Sequence, residues 1–411
     1  MSELAETDAT THDPHAIRTI RDRIVRRLVT RLLANLSHGS MSLHLPGGQN
    51  IVASGVHPGP SASLQIHRAR TARRMLFAGA PGLADSYIDG DWDTDDLTSV
   101  IAFGAANIHG IEKAAPPLKA MRALARLSHL SRANTRSGSR RNIAAHYDLG
   151  NSFYEKWLDS SMTYSSACFS RDAQDLGEAQ TQKFDRLAGQ LDLQDGDHVL
   201  EIGCGWGSFA RHAAREYGCR VTALTVSPAQ AKWARARNRE AGLDGKIEVR
   251  LQDYRDVRGE FDKIASIEMF EAVGERFWPV FFDTVAARLR AGGRAALQVI
   301  TIDEARFEAY RRNPDFIQLR VFPGGMLPSR TVFEESANAS GLRVDTEDMF
   351  GADYAETLRR WREAFEGAWP EIAKLGFDTP FRRLWRYYLC YCEAGFQAGH
   401  IAVGQFRLSH A

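Results

Sequence analysis

The sequence has almost no net charge, few cysteines and no apolar run long enough to cross a bilayer. Its 411 residues carry a formal net charge of +1. No global field therefore draws the chain toward nucleic acid or an anionic surface, and any such attraction has to be local. The five cysteines (Cys168, Cys204, Cys219, Cys390 and Cys392) show no metal-ligand spacing. Cys390-x-Cys392 is too tight for a zinc knuckle or a CxxC redox pair, and reduced thiols in a cytosolic protein are expected. No stretch approaches the ~20 apolar residues that spanning a membrane requires. The opening "MSELAETDATTHDPH" is acidic and polar, unlike a signal peptide. The expectation is a cytoplasmic protein that at most attaches peripherally to the inner membrane face, with no nucleic-acid partner.

An apolar fraction of 44% supports substantial cores, and the length allows two domains. Residues 1–15 read as a disordered tail. From residue 16 to 112 the pattern suggests a smaller α+β domain. It opens with a helix that sets Ile17, Ile20, Ile24, Leu28, Leu32 and Leu36 on one face and arginines on the other. Turn-rich alternating segments between Met41 and Ile66 follow. Residues 113–141 carry eight Lys/Arg and no acid, with Pro116-Pro117 near the start. This is a basic linker, either a solvated charge run or a contact for phospholipid headgroups, where each cation adds roughly 1 kcal/mol.

After residue 180 a regular alternation begins. "DHVLEIG", "CRVTALTVS", "KIEVRLQ", "FDKIASIEMF" and "GRAALQVITI" are strand-like, with helical stretches between the earlier ones. Such alternation predicts a doubly wound parallel sheet that binds ligand beyond its strands' carboxyl ends. "VLEIGCGWGSF" (199–209) places Gly203, Gly205 and Gly207 just after the first strand. A dinucleotide fingerprint is absent: the spacing is GxGxG, and the second strand ends in "LTVSPAQ" without the acid that would hold a ribose. The glycines alone favour S-adenosylmethionine (SAM) over NAD only modestly.

The surrounding blocks are more specific. "HYDLGNSFYEKWLDSSMTYSSACF", "VLEIGCGWGSFA", "LTVSPAQ", "LQDYRDV", "FDKIASIEMFEAVGE", "PGGMLPS" and "RYYLCYCEAGFQAG" occur in this order. In these blocks the chain resembles the cyclopropane-fatty-acyl-phospholipid synthase family, densely over 142–408. The resemblance implies a class I SAM-methyltransferase fold, Rossmann-like and α/β, over 142–411. It also implies addition of a SAM-derived carbon across the cis double bond of a phospholipid acyl chain, so an unsaturated phospholipid surface is the expected partner. A homodimer is left open. Carried over by position, Tyr164, Ser165, Gly203 and Gly205 would hold the cofactor, Thr225 and Gln230 its ribose region, and Asp253 and Tyr254 its adenine. The family's base is a bound bicarbonate, whose ligand set would include Glu271 and Tyr388, with Ser166, Gln298 and Ile300 at the remaining positions.

Two of those positions depart from the family pattern. Ser166 stands where a cysteine is usual, which keeps the backbone amide. Gln298 stands where histidine is usual, and glutamine cannot titrate. Three outcomes are open: bicarbonate is retained, Glu271 or a water acts as base, or the cation resolves to a methyl- or methylene-branched chain instead of a ring. Aromatic residues Phe270, Trp278, Phe316, Phe322, Tyr387 and Tyr388 are candidates for walls facing the cation, each weighed against an ordinary core role. A catalytically silent lipid-binding protein is the alternative from another class, opposed by the retained glycine turn, "LQDY", Glu271 and Tyr388.

Overall fold

Short alternating runs separated by turn residues assemble the N-terminal sheet. In the computed structural model, residues 4–5, 30, 33–114, 149–170 and 175–411 are described. Strands β1 (Leu4–Ala5), β2 (His38–His44), β3 (Asn50–Ser54), β4 (His57–Ile66) and β5 (Trp92–Asp93) pair in the order β1-β3-β2-β4-β5. Leu4 and Ala5, expected in a disordered tail, pair antiparallel with Ala53 and Val52. The helix expected from Ile17 and the basic linker beyond residue 114 lie outside the described residues, apart from residues 30 and 33–36.

The chain divides into two compact units, and their boundaries differ from the contiguous domains expected from sequence. The first draws on 1–127, 313–316 and 376–398; the second on 128–312, 317–375 and 399–411. Helix Thr379–Gln397, inside the region expected to be methyltransferase throughout, packs on helices Arg70–Ile88 and Leu97–Ala106 of the first unit. Arg383 explains the docking: it donates to the Tyr87 and Trp92 carbonyls and meets Asp93 at 2.7 Å. Tyr387 adds a ring contact to Tyr87, with centroids 5.8 Å apart.

The second unit holds a seven-stranded sheet. Its strands are β6 (His198–Ile202), β7 (Arg220–Thr225), β8 (Ile247–Leu251), β9 (Phe261–Ile267), β10 (Leu289–Ile302), β11 (Leu342–Met349) and β12 (Ile401–His410). They run in the order β11-β12-β10-β9-β6-β7-β8. The five expected strands are β6 to β10, all parallel. The sheet is not purely parallel, however, because β12 inserts antiparallel between β10 and β11. β11 and β12 pair antiparallel although three helices separate them in sequence, so their pairing leaves a weaker sequence signal than βαβ alternation.

Apolar side chains pack both faces of the sheet. Leu200, Ile264, Leu297 and Val299 meet Phe270, Trp278, Phe281, Phe282 and Phe333 on one side. Val199, Val221, Ala223 and Ala265 meet Leu187, Phe209 and Ala213 on the other. Burial on both faces fixes the carboxyl ends of β6 to β10 along one edge.

Candidate active site

The first strand ends in a turn with little room for side chains. Gly203 has φ 87°, and a Cβ there would fall 2.5 Å from Met269 Cγ. Its amide and that of Cys204 both donate to Leu224 O, at 3.1 and 2.8 Å, tying the turn to the end of β7. Gly205 differs: with φ 52°, a Cβ there meets nothing within 4 Å. The first glycine is required by packing, whereas the second keeps an open approach to the strand ends.

Beside this turn, the sequence-predicted residues sit as follows. Thr225 Oγ1 donates to Gln230 Oε1 at 2.8 Å and accepts the Ser227 amide, so the two residues assigned to the ribose region form one polar cluster. Asp253 is gripped by Arg255, whose Nε and Nη2 reach its two oxygens at 2.8 and 2.6 Å; sequence reading did not foresee this partner. Tyr254 packs edge-on against Phe281 in the core, with its buried hydroxyl unpartnered among the described residues. Glu201 Oε2, at the end of β6, is likewise buried and unpartnered among them. Burial pushes the Glu201 carboxyl up to about 8, against the opposing pull of Arg211. An open glycine and two polar atoms lacking partners fit a polar, nucleoside-bearing ligand at this edge.

Tyr164 and Ser165 precede the second group of predicted residues. Tyr164 joins an aromatic cluster with Tyr154, Trp157 and Trp361, at centroid distances of 5.4, 5.6 and 5.2 Å. Sequence analysis missed this cluster because its members are scattered between residues 154 and 361. Of the aromatics it did single out, Phe270 and Trp278 stack within the core, and Phe316 pairs with Tyr387 in the first unit. Ser165 accepts a hydrogen bond from the buried Lys183 Nζ at 2.7 Å, and its carbonyl accepts Gln180 Nε2.

Glu271 and Ile300 come together as expected: the Ile300 amide donates to Glu271 Oε1 at 2.5 Å. Glu271 Oε2 is buried and has no partner among the described residues. Ser166 and Gln298 also converge, on a residue the sequence reading passed over. Glu268 Oε1 accepts the Ser166 amide at 2.8 Å and Gln298 Nε2 at 2.8 Å, while Oε2 accepts the Tyr354 hydroxyl at 2.6 Å. Gln298 Oε1 in turn accepts Gln405 Nε2 at 3.2 Å. Glu268 holds φ 51°, a left-handed conformation costing an L residue about 1–2 kcal/mol. The signal that would have found it was a glutamate just past a strand end and three residues before Glu271. Tyr388 lies in the first unit, its ring edge-on to Trp385 at 5.2 Å.

These charges are coupled. Burial raises the Glu271 carboxyl to about 8, and the Glu268 charge adds to the shift. Burial also raises Glu268, opposed by the Tyr354 bond, the Lys183 charge and the bonds from Ser166 and Gln298. Lys183 itself is lowered to about 8 by burial, against the attraction of Glu268. The expected bicarbonate ligands are thus differently employed here, since two of the donors it would use already serve a carboxylate of the chain.

A glycine turn at the first strand of this sheet order, with polar residues at the ends of β7 and β8, defines a class I SAM-dependent methyltransferase. SAM supplies an electrophilic methyl group when bound; Glu201, Gly205, Thr225, Gln230, Asp253 and Tyr254 are the residues that would hold it. Residues 134–406 match the family described as Mycolic acid cyclopropane synthetase. Tuberculostearic acid methyltransferase UfaA1 of Mycobacterium tuberculosis is 38% identical over 95% of this chain and 90% of its own length. The cyclopropane-fatty-acyl-phospholipid synthase of Escherichia coli K12 is 35% identical over 84% and 87%. Among solved structures, mycolic acid cyclopropane synthase CmaA1 complexed with SAH and CTAB aligns at TM-score 0.62 and 33% identity, over 66% of this chain and 97% of that one. The chain belongs to the mycolic acid cyclopropane synthetase family, and it is a SAM-dependent methyltransferase.

Proposed function

We propose that the enzyme methylates the cis double bond of unsaturated fatty acyl chains in membrane phospholipids, and that its own product is a methylene-branched chain, which becomes methyl-branched only where a separate reductant supplies a hydride. The acceptor class is supported by the names of the relatives from Mycobacterium tuberculosis and Escherichia coli. The single observation that carries the branched outcome is the Glu268–Gln298 pair. Ring closure requires a proton to leave the new methyl before the cation rearranges. A methylene branch instead follows a 1,2-hydride shift that moves the cation to the methyl-bearing carbon. Burial raises the Glu268 carboxyl, but the three hydrogen bonds favour its charged form and make it a weaker base than burial alone would. Slower proton removal gives the hydride shift time. The Escherichia coli relative supports a second reading, a cyclopropane product from the same acceptor.

No helix among the described residues is long and apolar enough to cross a membrane. Attachment is proposed to be peripheral, at the inner membrane face, resting on the eight cations of residues 113–141 and the arginine-rich segment that begins at Ile17. The test is purified enzyme with labelled SAM and monounsaturated phospholipid vesicles, the acyl products being identified by mass spectrometry. Label in branched chains is expected. Label only in a ring supports the second reading, and no label in lipid under conditions where SAM binds overturns both. Binding to anionic vesicles should fall with salt, because surface charges are screened over ~8 Å at physiological ionic strength; equal binding to neutral vesicles counts against the electrostatic part.

A further inference from the structure

Past the end of β9, the backbone holds Glu268 in a conformation that favours glycine, with φ 51°. Its N–H donates to Gln298 O at 2.8 Å, so the strain is fixed by the sheet itself. Strain of this kind persists where the surrounding structure enforces it, and it clusters at functional sites. Three separate elements serve the side chain: the Ser166 amide before helix Leu176–Leu191, Gln298 on β10, and the Tyr354 hydroxyl on helix Gly351–Gly367. Gln298 is fully buried, and its other Nε2 contact is the Ser166 carbonyl at 3.4 Å. The buried Lys183 adds positive charge nearby.

The Ser166 amide and the side chain at position 298 belong to the set that the family resemblance assigns to bicarbonate. A free anion seated on those donors would face the Glu268 carboxylate and, next to it, Glu271. Like charges a few ångströms apart in a dry site repel strongly, so only one such anion is tolerated. We propose that Glu268 is this chain's built-in replacement for the bicarbonate anion: it occupies the anion's donors and takes up the proton released during the reaction.

The step, which rests on the proposed acyl acceptor, balances without a further reactant. The alkene electron pair forms the new carbon–carbon bond to the transferred methyl. The sulfur–carbon pair leaves with sulfur as S-adenosylhomocysteine. A carbon–hydrogen pair then stays in the chain as the final bond, and its proton passes to Glu268 Oε2, where the Tyr354 hydroxyl donates. Glu271, held by the Ile300 amide, stands next to this carboxylate as a neutral acid and so adds no second negative charge.

The test combines a binding readout with turnover. Binding of ¹³C-bicarbonate is followed by NMR line broadening in the wild type, Glu268→Gly and Glu268→Gln. Turnover is measured in carbon-dioxide-free buffer with and without added bicarbonate. The wild type is expected to show no saturable bicarbonate binding and the same turnover in both buffers. Glu268→Gly should lose on the order of 10²-fold in rate, as for loss of a positioned proton acceptor. It should also gain bicarbonate binding and recover part of the rate when bicarbonate is added. Glu268→Gln fills the same space without charge and should be slow and not rescued. Saturable binding to the wild type with turnover lost on depletion overturns the proposal, as does a fully active Glu268→Gln variant. If Glu268→Gly does not fold, as judged by circular dichroism, the wild type and Glu268→Gln decide. If the wild type methylates no lipid, the proposed function fails and the NMR result alone decides on Glu268.

Discussion

The Ile300 amide reaches one oxygen of Glu271 at 2.5 Å, while the other oxygen is buried with no partner among the described residues. A half-satisfied carboxylate of this kind is kept protonated, and its carboxyl sits near 8 instead of the ordinary 4.5, through burial first and the Glu268 charge second. Below about pH 4.5 the folded and unfolded chains both carry this proton, and the group imposes no penalty. Between 4.5 and about 8 the unfolded chain releases its proton while the folded chain retains it, so stability falls as pH rises. Glu271→Gln mimics the protonated form. Its melting temperature should exceed that of the wild type by a margin that widens from about pH 5 to about pH 8. Turnover should drop by ~10²-fold. A pH-independent margin would contradict the assignment.

Tyr354 is a positioning residue for Glu268, to which it donates at 2.6 Å. That bond favours the charged carboxylate, so Tyr354→Phe removes one of the influences lowering its pKa. The acid limb of the rate profile should move to higher pH, with KM for SAM unchanged. A rate loss uniform across pH would indicate a merely structural contact.

The two glycines of the turn should fail in different ways. Gly203→Ala drives a Cβ to within 2.5 Å of Met269 Cγ at φ 87°, so it should lower the melting temperature as well as SAM affinity. Gly205→Val meets no protein atom at its Cβ but places branched atoms in the cofactor's approach at φ 52°. It should abolish SAM binding by calorimetry while the fold loses only the ~1–2 kcal/mol of a left-handed residue. Retained affinity in Gly205→Val would remove the SAM assignment at this turn.

Gln298→His, read from sequence alone, is the change expected to raise the share of cyclopropane product. The tertiary arrangement alters that expectation, because Glu268 already holds the donors and histidine at 298 would pair with it. The single variant should leave the product ratio close to that of the wild type. Glu268→Gly with Gln298→His together should raise the ring fraction, and only when bicarbonate is present. A ring-forming single variant in bicarbonate-free buffer would show that position 298 acts independently of Glu268. Mass spectrometry of the acyl chains distinguishes the two.

Local pattern was enough for the parallel half of the sheet. Each of β6 to β10 carries a buried apolar stretch or face, and the GxGxG turn reports a backbone that must bend and stay open wherever it occurs. Thr225 with Gln230, and Glu271 with Ile300, could be named beforehand only through the family resemblance, since Ile300 lies within β10, 29 residues from Glu271. Contacts between distant segments were not legible. The antiparallel β12 and the docking of helix Thr379–Gln397 onto the first unit depend on which surfaces meet, and short-range periodicity does not encode that. Glu268 illustrates the same limit. Its residue type was visible beside Glu271, but its role rests on Ser166, Gln298 and Tyr354, separated from it by 102, 30 and 86 residues. Only folding brings those donors onto one carboxylate, and burial first, with the field of that carboxylate second, holds the proton on Glu271.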